Sequence, residues 1–594
     1  MHAKLTRWTE GLLATLCCGV AAPAMAGSAL CDESLRKAFA SDRLTKIVLV
    51  RPFAAGQRLA LGDASAASAP VAVNDLCLVK IIVGPGNPGP AGAPSTSAGI
   101  GIEIWLPSPA KWNGRIHAIG GGGWVGGAAG SPSEIGSLGA AGVADAEGAV
   151  SSTTDTGHAG PDGAFGLKPD GSINTALWRD FATRSLDQQA LKTKALTTYY
   201  YGRKALHSYW EGGSQGGRQG LSLAQNFPKH YDGIIASFPA INLTRLLVAA
   251  MYPQIVFHQD LGGVALSMAQ QDMVSRAAIA VCGKTGGEQL GYVMDPAACR
   301  YDPVKDTTIL CGADGGANDL PDCLTKRQAT AVNKIWYGMT ADGSVPDPAV
   351  DNGWDSIAAG NRKWFGLQRG TSLYDRTFID KFGRSNGLTV PDEPFKTAAH
   401  FLAVLLGDSK IADGSFRNAI SNGKDGWKNL DYTALSAIFE KGLALDGQLG
   451  GLNTDNPDLS AFKKRGGKIL SWHGLADEII PAQGTIRYYQ SVMQAMGGAA
   501  AAQSFFKFYL VPGNGHNSQN GTANPAATPP VIEWPYFYQL MVDWVEKGVE
   551  PGRLDISSPR GAAVPVSQPV CPYPMKPKYR SGDPRIATSY ECAG

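Results

Sequence analysis

The chain has 594 residues, a net charge of +2 and 44% hydrophobic residues, which describes a globular protein too long for one ordinary domain. Lysine and arginine form no basic tract, so a nucleic acid is excluded as the expected partner. Beyond the N-terminal segment no apolar run reaches the ~18 residues that a membrane-spanning helix needs, and no membrane span is expected.

Segment 1–26 has the three parts of a secretory signal peptide. The basic residues Lys4 and Arg7 precede an apolar stretch, and Ala24-Met25-Ala26 offers a cleavage site of the small-x-small type. We therefore expect this segment to be removed and the mature protein to be secreted or periplasmic.

Short β-rich runs open the remaining chain. Runs over 46–50, 72–83 and 101–106 alternate with turns rich in Pro, Gly and Ser, which predicts an antiparallel start to a sheet. A further predicted strand, 116–119, leads directly into four consecutive glycines, 120–123.

The glycine run 120–123 predicts a close approach of backbone, because four glycines cannot pack a core and are costly in conformational entropy. A loop of this kind supplies backbone N–H donors to the oxyanion in α/β-hydrolases, so Gly121 and Gly122 are candidate donors. A merely flexible loop is the alternative. Phosphate binding is disfavoured, because the chain completes neither common phosphate-loop motif here.

The hexapeptide Gly212-Gly213-Ser214-Gln215-Gly216-Gly217 is the most informative motif of the chain. A helix is predicted over 181–200, then a strand over 208–211 and a helix over 218–226. A Ser between glycines on a strand-to-helix turn predicts a nucleophile elbow, and the N–H of Gln215 becomes a second candidate oxyanion donor. The alternative is a chance match in a chain with 74 glycines.

Two later strands end at a candidate acid and a candidate base. An apolar run precedes His473 and Asp477, and the run 505–511 precedes a Gly-rich loop that contains His516. The order Ser, Asp, His is that of α/β-hydrolases, which predicts a triad of Ser214, Asp477 and His516. We interpret His473 as a structural hydrogen-bonding residue, and a plain turn role for Asp477 is the alternative.

The interval between the nucleophile and the acid is longer than a few strand–helix units need. The surplus, 246–460, predicts a lid domain inserted between the two parts of an α/β-hydrolase core, 27–245 and 461–594.

The predicted lid is rich in aromatic side chains, which either line a substrate pocket or form the core of the lid. They include Trp354, Trp364, Phe365, Tyr374 and Phe378. Arg362 and Arg369 lie among them, and we interpret both as solvated charges, with binding of a carboxylate or phenol as the alternative.

The chain resembles the tannase and feruloyl esterase family, which also includes the hydrolase of mono(hydroxyethyl) terephthalate. The matching stretches extend over roughly residues 30 to 594: Trp105-Leu106-Pro107, Trp112-Asn113-Gly114-Arg115, the glycine run 120–123, Thr154-Asp155-Thr156-Gly157-His158, 208–220, 231–235, Trp472-His473-Gly474 with Asp477 and Pro481, and 513–516. The resemblance implies an α/β-hydrolase core, a large lid and the triad Ser214–Asp477–His516.

Two features depart from the pattern of that family. Its members usually carry one Cys before the nucleophile and another after the catalytic His, joined as a disulfide, but this chain has Gly213 and Asn517. The ligands of the family's lid calcium are replaced by Gly283, Gly286 and Leu290, which offer no side-chain oxygen.

A nearby acidic cluster is interpreted as a solvated turn rather than a metal site; it comprises Asp314, Asn318, Asp319 and Asp322. We therefore expect neither a metal nor a cofactor.

Ten cysteines occur, and eight remain after the signal peptide, an even number in an oxidising compartment. Spacing and the resemblance favour four disulfides: Cys31–Cys77, Cys282–Cys299, Cys311–Cys323 and Cys571–Cys592.

The sequence as a whole indicates a secreted serine carboxylester hydrolase that cleaves small-molecule esters of aromatic (phenolic) acids through an acyl-enzyme. Two alternatives stay open. The same fold could hydrolyse aliphatic oligoesters or amides, or the chain could be a non-catalytic binding protein on a hydrolase scaffold.

Overall fold

The computed structural model describes residues 30–62, 68–355, 361–374, 388–389, 393–418 and 420–594. The predicted signal peptide and Phe378 lie outside these ranges. The strands are β1 (Thr45–Phe53), β2 (Leu76–Val83), β3 (Ile100–Pro107), β4 (Arg115–Ile119), β5 (Ser151–Thr154), β6 (His207–Gly213), β7 (Gly233–Ser237), β8 (Lys284–Thr285), β9 (Glu288–Gln289), β10 (Arg417–Asn418), β11 (Ile420–Ser421), β12 (Lys468–Gly474), β13 (Phe506–Val511), β14 (Leu554–Ser557), β15 (Ser567–Val570), β16 (Lys576–Tyr579) and β17 (Tyr590–Ala593).

The α-helices are α1 (Leu138–Gly142), α2 (Thr175–Arg179), α3 (Ser185–Tyr201), α4 (Gln215–Asn226), α5 (Leu243–Ala249), α6 (Tyr252–Leu261), α7 (Met268–Cys282), α8 (Lys326–Tyr337), α9 (Lys396–Leu406), α10 (Tyr432–Ala444), α11 (Ser460–Lys464), α12 (Ala482–Ala495), α13 (Ala499–Gln503) and α14 (Trp534–Lys547). Short 3₁₀ segments occupy Glu33–Phe39, Gly163–Gly166, Pro296–Ala298, Gly312–Asp314, Ser409–Ile411, Gly426–Asn429 and Ala587–Ser589, and π-helical turns occupy Val143–Glu147 and Asp180–Arg184.

The main sheet has an antiparallel half and a parallel half. Strands β1, β2, β3 and β5 pair antiparallel in that order, and β4, β6, β7, β12 and β13 pair parallel. A parallel bridge between Ile116 and Val150 joins the two halves. The predicted antiparallel start and α/β core are therefore confirmed.

The register of the parallel strands brings their carboxyl ends together. Gly213 at the end of β6 pairs with Ser237 at the end of β7, which in turn pairs with Trp472 in β12. Gly474 at the end of β12 pairs with Val511 at the end of β13. The loops that follow these strands consequently emerge at one edge of the sheet, where α/β proteins place their ligand sites.

Successive residues of the parallel strands are buried on opposite faces of the sheet, as the period of two in a strand requires. Trp210 and Ile234 pack on one face together with residues of α4 and α12. Tyr209 and Ile235 pack on the other face against α14, whose Met541 is fully buried there.

A helical layer lies between β7 and β12 in the sequence, where the insertion is predicted. Its apolar core joins α5, α6, α8, α9 and α10, and it also includes Trp124, Phe165, Trp178 and Phe181 from before the nucleophile. This core therefore extends beyond the predicted boundaries 246 and 460, which stay a prediction.

All four disulfides that spacing and the resemblance favoured are present: Cys31–Cys77, Cys282–Cys299, Cys311–Cys323 and Cys571–Cys592. Each closes a loop of modest length, from 12 to 46 residues in sequence separation. Within the described ranges, none of the helices is both long and apolar enough to cross a membrane.

Strand β4 carries a buried His117 clamped between two glutamates. Its Nδ1 lies 2.7 Å from Glu147 Oε2 and its Nε2 lies 2.9 Å from Glu211 Oε2, while its ring stacks on Tyr538 with the centroids 4.0 Å apart. Burial alone would lower the pKa of His117, but the hydrogen bonds and charges of Glu147 and Glu211 outweigh burial and raise it to about 9.

Because the pKa of His117 is raised above its ordinary 6.5, its contribution to stability is fully present below about pH 6.5 and is lost as the pH rises through about 9. We expect the free energy of unfolding to fall by on the order of 3 kcal/mol over this interval. Urea unfolding of the wild type and of His117→Gln between about pH 6 and pH 10 checks this. An equal pH dependence in both proteins would contradict it.

Candidate active site

Ser214 occupies a strained turn between β6 and α4. Its φ is 56° and its ψ is −121°, a conformation that a non-glycine residue adopts only when its surroundings impose it. The N–H of Ser214 donates to Ser237 O at 3.0 Å, and its carbonyl accepts from Arg218 N and from Ala240 N. The half-buried side chain stands at the N-terminus of α4, as the elbow motif predicts.

The turn packs backbone to backbone against the glycine loop. A Cβ added at Gly120 would lie 2.7 Å from Gly216 Cα, and one added at Gly216 would lie 3.1 Å from Gly121 O. These approaches explain why positions 120 and 216 are glycine.

The two loops differ in which N–H groups they offer to a substrate. The N–H of Gly121 donates to Gln219 Oε1 at 3.0 Å, so the structure assigns this predicted oxyanion donor to an internal hydrogen bond. Gly122 and Gln215, the first residue of α4, stay as the candidate donors. The sequence could not reveal the role of Gln219, because its contact depends on the packing of α4 against the loop.

Asp477 and His516 meet in the loops after β12 and β13. His516 Nδ1 lies 3.0 Å from Asp477 Oδ2 and 3.2 Å from Asp477 Oδ1. Asp477 is fully buried and His516 is 5% exposed. The structure thus brings the predicted acid and base into direct contact at the same edge of the sheet as Ser214.

The Asp477 carboxylate is held by four groups. Its Oδ1 accepts the N–H groups of Ile479 and Ile480 at 2.9 and 2.8 Å, and its Oδ2 lies 3.2 Å from His473 Nε2 as well as near His516. Burial alone would raise the pKa of Asp477, but the charge of His516 and the hydrogen bonds from both histidines outweigh it, and the pKa lies well below its usual range. Asp477 is therefore an anion at neutral pH.

His473 has the contacts of a structural residue. Its Nε2 lies 2.9 Å from Ile480 O, which can only accept, so Nε2 donates there, and its Nδ1 lies 2.9 Å from Thr485 Oγ1. With both ring nitrogens occupied and the side chain fully buried, His473 helps to orient the Asp477 carboxylate, whose Oδ2 it contacts together with His516.

Sequence reasoning overlooked Glu478, the neighbour of the acid. Glu478 Oε2 accepts the backbone N–H of His516 at 3.1 Å, and Glu478 Oε1 accepts Gln519 Nε2 at 3.3 Å. This buried side chain fixes the loop that carries His516. The only signal in the sequence is that Glu478, an acidic residue, directly follows the candidate catalytic acid Asp477.

Ser214 and Gln215 border a cavity of about 50 Å³ between the core and the helical layer. Its other walls are largely aliphatic and come from the glycine run, the segment around α5, the loop after Asp477 and the start of α9: Gly123, Ala240, Leu243, Leu246, Leu247, Ala250, Phe395, Thr397, Ile479 and Ile480. A second cavity of about 20 Å³ shares Leu246, Ala250 and Ile479 with the first and reaches Trp364 and Phe365.

Comparison with known proteins places the chain in a family. The family described as tannase and feruloyl esterase matches residues 91–593. The chain belongs to the tannase and feruloyl esterase family. Its fold, predicted from the motifs, is that of this family.

Individual relatives cover most of both chains. A probable feruloyl esterase of Arthroderma benhamiae is 32% identical over 500 residues, which cover 83% of this chain and 82% of the relative. The mono(2-hydroxyethyl) terephthalate hydrolase of Piscinibacter sakaiensis is 28% identical over 535 residues, with coverage of 83% and 81%. The crystal structure of feruloyl esterase B from Aspergillus oryzae superposes with a TM-score of 0.70 at 23% identity, covering 94% of this chain and 99% of that one.

The lid of this tannase and feruloyl esterase family member differs from the sequence prediction in its two arginines. Arg362 and Arg369 are 6% and 5% exposed, so neither is a solvated charge. Arg369 Nε donates to Tyr301 O at 2.9 Å and its Nη1 to Asn352 O at 2.6 Å, while Arg362 donates to the carbonyls of Gly353 and Asp355. Both guanidinium groups tie lid loops together, so binding of a substrate carboxylate is not supported.

The aromatic side chains of the lid are divided between several places. Trp364 and Phe365 are buried and line the second cavity, whereas Trp354 borders a separate cavity beside Met575 and Lys576. The hydroxyl of Tyr374 donates to Asp272 at 2.9 Å. Of the aromatic residues named from the sequence, those within the described ranges do not border the cavity at Ser214.

The described residues contain no cluster of three or more His, Cys, Asp or Glu side chains arranged to hold a metal ion. Asn318, in the acidic segment 314–322, uses its Oδ1 to accept the N–H of Leu320 at 3.0 Å, which closes a local turn.

Proposed function

We propose that the protein is a serine carboxylic ester hydrolase with Ser214 as nucleophile, His516 as general base and Asp477 as the residue that orients the base. The observation that carries this is the buried Asp477–His516 contact at the sheet edge where the strained Ser214 turn also lies. Membership of the family supports carboxylic ester hydrolysis as the reaction class.

The reaction follows from these positions. Ser214 Oγ attacks the ester carbonyl carbon while His516 Nε2 takes the hydroxyl proton, and the carbonyl oxygen becomes an oxyanion. Gln215 and Gly122 would donate their N–H groups to it at the positive end of α4. The intermediate collapses as His516 returns the proton to the leaving alcohol, which leaves Ser214 acylated.

Hydrolysis of the acyl-enzyme repeats these steps with water as the nucleophile. His516 takes one proton from water as the oxygen attacks the acyl carbon, and it then returns a proton to Ser214 Oγ as the acid departs. The charge of Asp477 stabilises the imidazolium that forms in both halves, and its position keeps the proton of the neutral ring on Nδ1. No cofactor takes part in these steps.

We infer that the substrates are esters of aromatic, phenolic acids. The support is the naming of the relatives as feruloyl esterases and tannase, and the apolar wall that Leu243, Leu247 and Ile480 present beside Ser214. An apolar wall gains free energy from either a flat ring or an alkyl chain, so the acyl group has to be tested directly.

Pairs of esters with the same leaving group isolate the acyl preference. We expect the 4-nitrophenyl ester of an aromatic acid to have a higher kcat/KM than 4-nitrophenyl butyrate, because a ring buries more apolar surface in the transition state. A hundredfold preference for butyrate would instead favour an aliphatic esterase. If the folded protein hydrolyses neither ester, the result would favour a non-catalytic binding protein.

We further propose that the chain is exported with cleavage after Ala26. The support is the sequence of segment 1–26 and the four disulfides, which persist in oxidising compartments. The recovered protein is expected to start near Gly27, and its mass is expected to rise by eight hydrogens on full reduction. An uncleaved chain recovered from the cytoplasmic fraction would rule export out.

A further inference from the structure

The ring of Phe238 lies beside Gly213, the residue before Ser214, and contacts His516. Phe238 directly follows β7, is 1% exposed, and donates its N–H to Trp472 O at 2.6 Å. Its ring meets the imidazole of His516 edge-on, with the centroids 4.7 Å apart and the planes at 63°. The rings of Trp472 and Trp534 support it from behind, at 4.9 and 6.1 Å.

The same ring restricts position 213, the residue before Ser214. A Cβ added at Gly213 would lie 2.4 Å from Phe238 Cζ and 2.6 Å from its Cε2. Gly213 is the last residue of β6, where the backbone accommodates any residue, so the ring and not the chain conformation requires glycine here. Gly213 and Phe238 therefore form one steric unit.

The backbone of Phe238 is itself strained. Its φ is +31°, a value that a residue with a bulky side chain rarely adopts. Strain of this kind persists only where the surrounding structure imposes it, and it concentrates at functional sites. Here it follows β7 directly and accompanies a ring that contacts His516.

We propose that Phe238 is a positioning residue that holds the imidazole of His516 against Asp477, and that position 213 is glycine because this ring occupies the space of a Cβ there. Asp477 fixes Nδ1 of His516, Glu478 fixes its backbone N–H, and Phe238 limits rotation of its ring. This inference rests on the proposed role of His516.

Two phenylalanines of the same apolar cluster allow a matched comparison. Phe238 and Phe537 are both 1% exposed, but the ring of Phe537 contacts Tyr509 rather than His516. We expect both Phe238→Leu and Phe537→Leu to lower the melting temperature. Only Phe238→Leu should lower kcat, by about tenfold to a hundredfold with KM almost unchanged, because the base then leaves its reactive geometry.

A second readout separates positioning from loss of stability. The rate at which a fluorophosphonate labels Ser214 depends on His516 but not on binding of the ester, so Phe238→Leu should reduce it by the same factor as kcat. If Phe238→Leu behaves like Phe537→Leu in both assays, the residue is only structural and the proposal is overturned. If His516→Ala stays active, the proposed function fails as well.

The steric pairing has its own test, which needs no activity. Gly213→Ala alone should lower the melting temperature, since its Cβ collides with the ring. In the Phe238→Leu background, Gly213→Ala should lower the melting temperature by clearly less, because the ring that its Cβ meets is gone. Strictly additive effects of the two substitutions would show that the ring does not restrict position 213 and would overturn this part of the proposal.

Discussion

Replacing Ser214 by alanine is expected to lower kcat by roughly 10⁴-fold to 10⁶-fold while KM changes little. The nucleophile and base of a triad act as a unit, and the rate that remains comes from the oxyanion donors and from binding. His516→Ala should have a loss of the same order. Both variants should fold, because the Ser214 hydroxyl is at the half-exposed surface of the cavity and His516 lies in a loop.

Ser222→Ala provides the matched control for the nucleophile. Ser222 lies two turns further along α4, is fully buried, and directs its hydroxyl towards Ala182 O at 3.5 Å. Steady-state kinetics on one aromatic ester, with circular dichroism of each variant, makes the comparison. Loss of activity in Ser222→Ala equal to that in Ser214→Ala would mean that damage to the helix, not loss of the nucleophile, explains the result.

Asp477→Asn is expected to reduce kcat by about 10³-fold to 10⁴-fold, although it changes only one atom. Because Oδ1 accepts two backbone N–H groups, the amide oxygen of Asn must take that position. The new NH₂ group then faces His516 Nδ1, where the carboxylate accepted a proton before. The imidazole is forced to carry its proton on Nε2, and it can no longer take one from Ser214.

His473→Gln tests whether the choice of base is correct. His473 contacts the same Asp477 Oδ2, but both of its ring nitrogens are used by Ile480 O and Thr485 Oγ1. We expect this variant to unfold at a lower temperature and to keep at least about a hundredfold more activity than Asp477→Asn. If His473→Gln had only background activity and His516→Ala stayed active, the base would be His473.

The candidate site was largely predictable because its signals are local. A hydroxyl between glycines requires a tight turn, and the structure has that turn at Ser214 with α4 beginning at the next residue. Strand ends were less predictable. The apolar run before His473 becomes β12, which extends to Gly474 because pairing with β13 continues that far.

Features that depend on contacts between distant segments could not be predicted. Arg362 and Arg369 look like surface charges in the sequence, and their burial follows from carbonyl groups supplied by separate lid loops. The sequence shows only that Gly213 occupies a position where the family usually has a cysteine. The contact between position 213 and the ring of Phe238 is visible only in the structure. The hydrogen bond from the N–H of Gly121 to Gln219 joins residues that are 98 positions apart in the sequence.

Labelling with a fluorophosphonate, followed by mass spectrometry of the peptides, tests the central claim most directly. The account predicts one label for each chain, attached to Ser214, with simultaneous loss of esterase activity and with labelling strongly reduced in His516→Ala. Esterase activity that persists in a fully labelled protein, or a label attached to any residue other than Ser214, would contradict it.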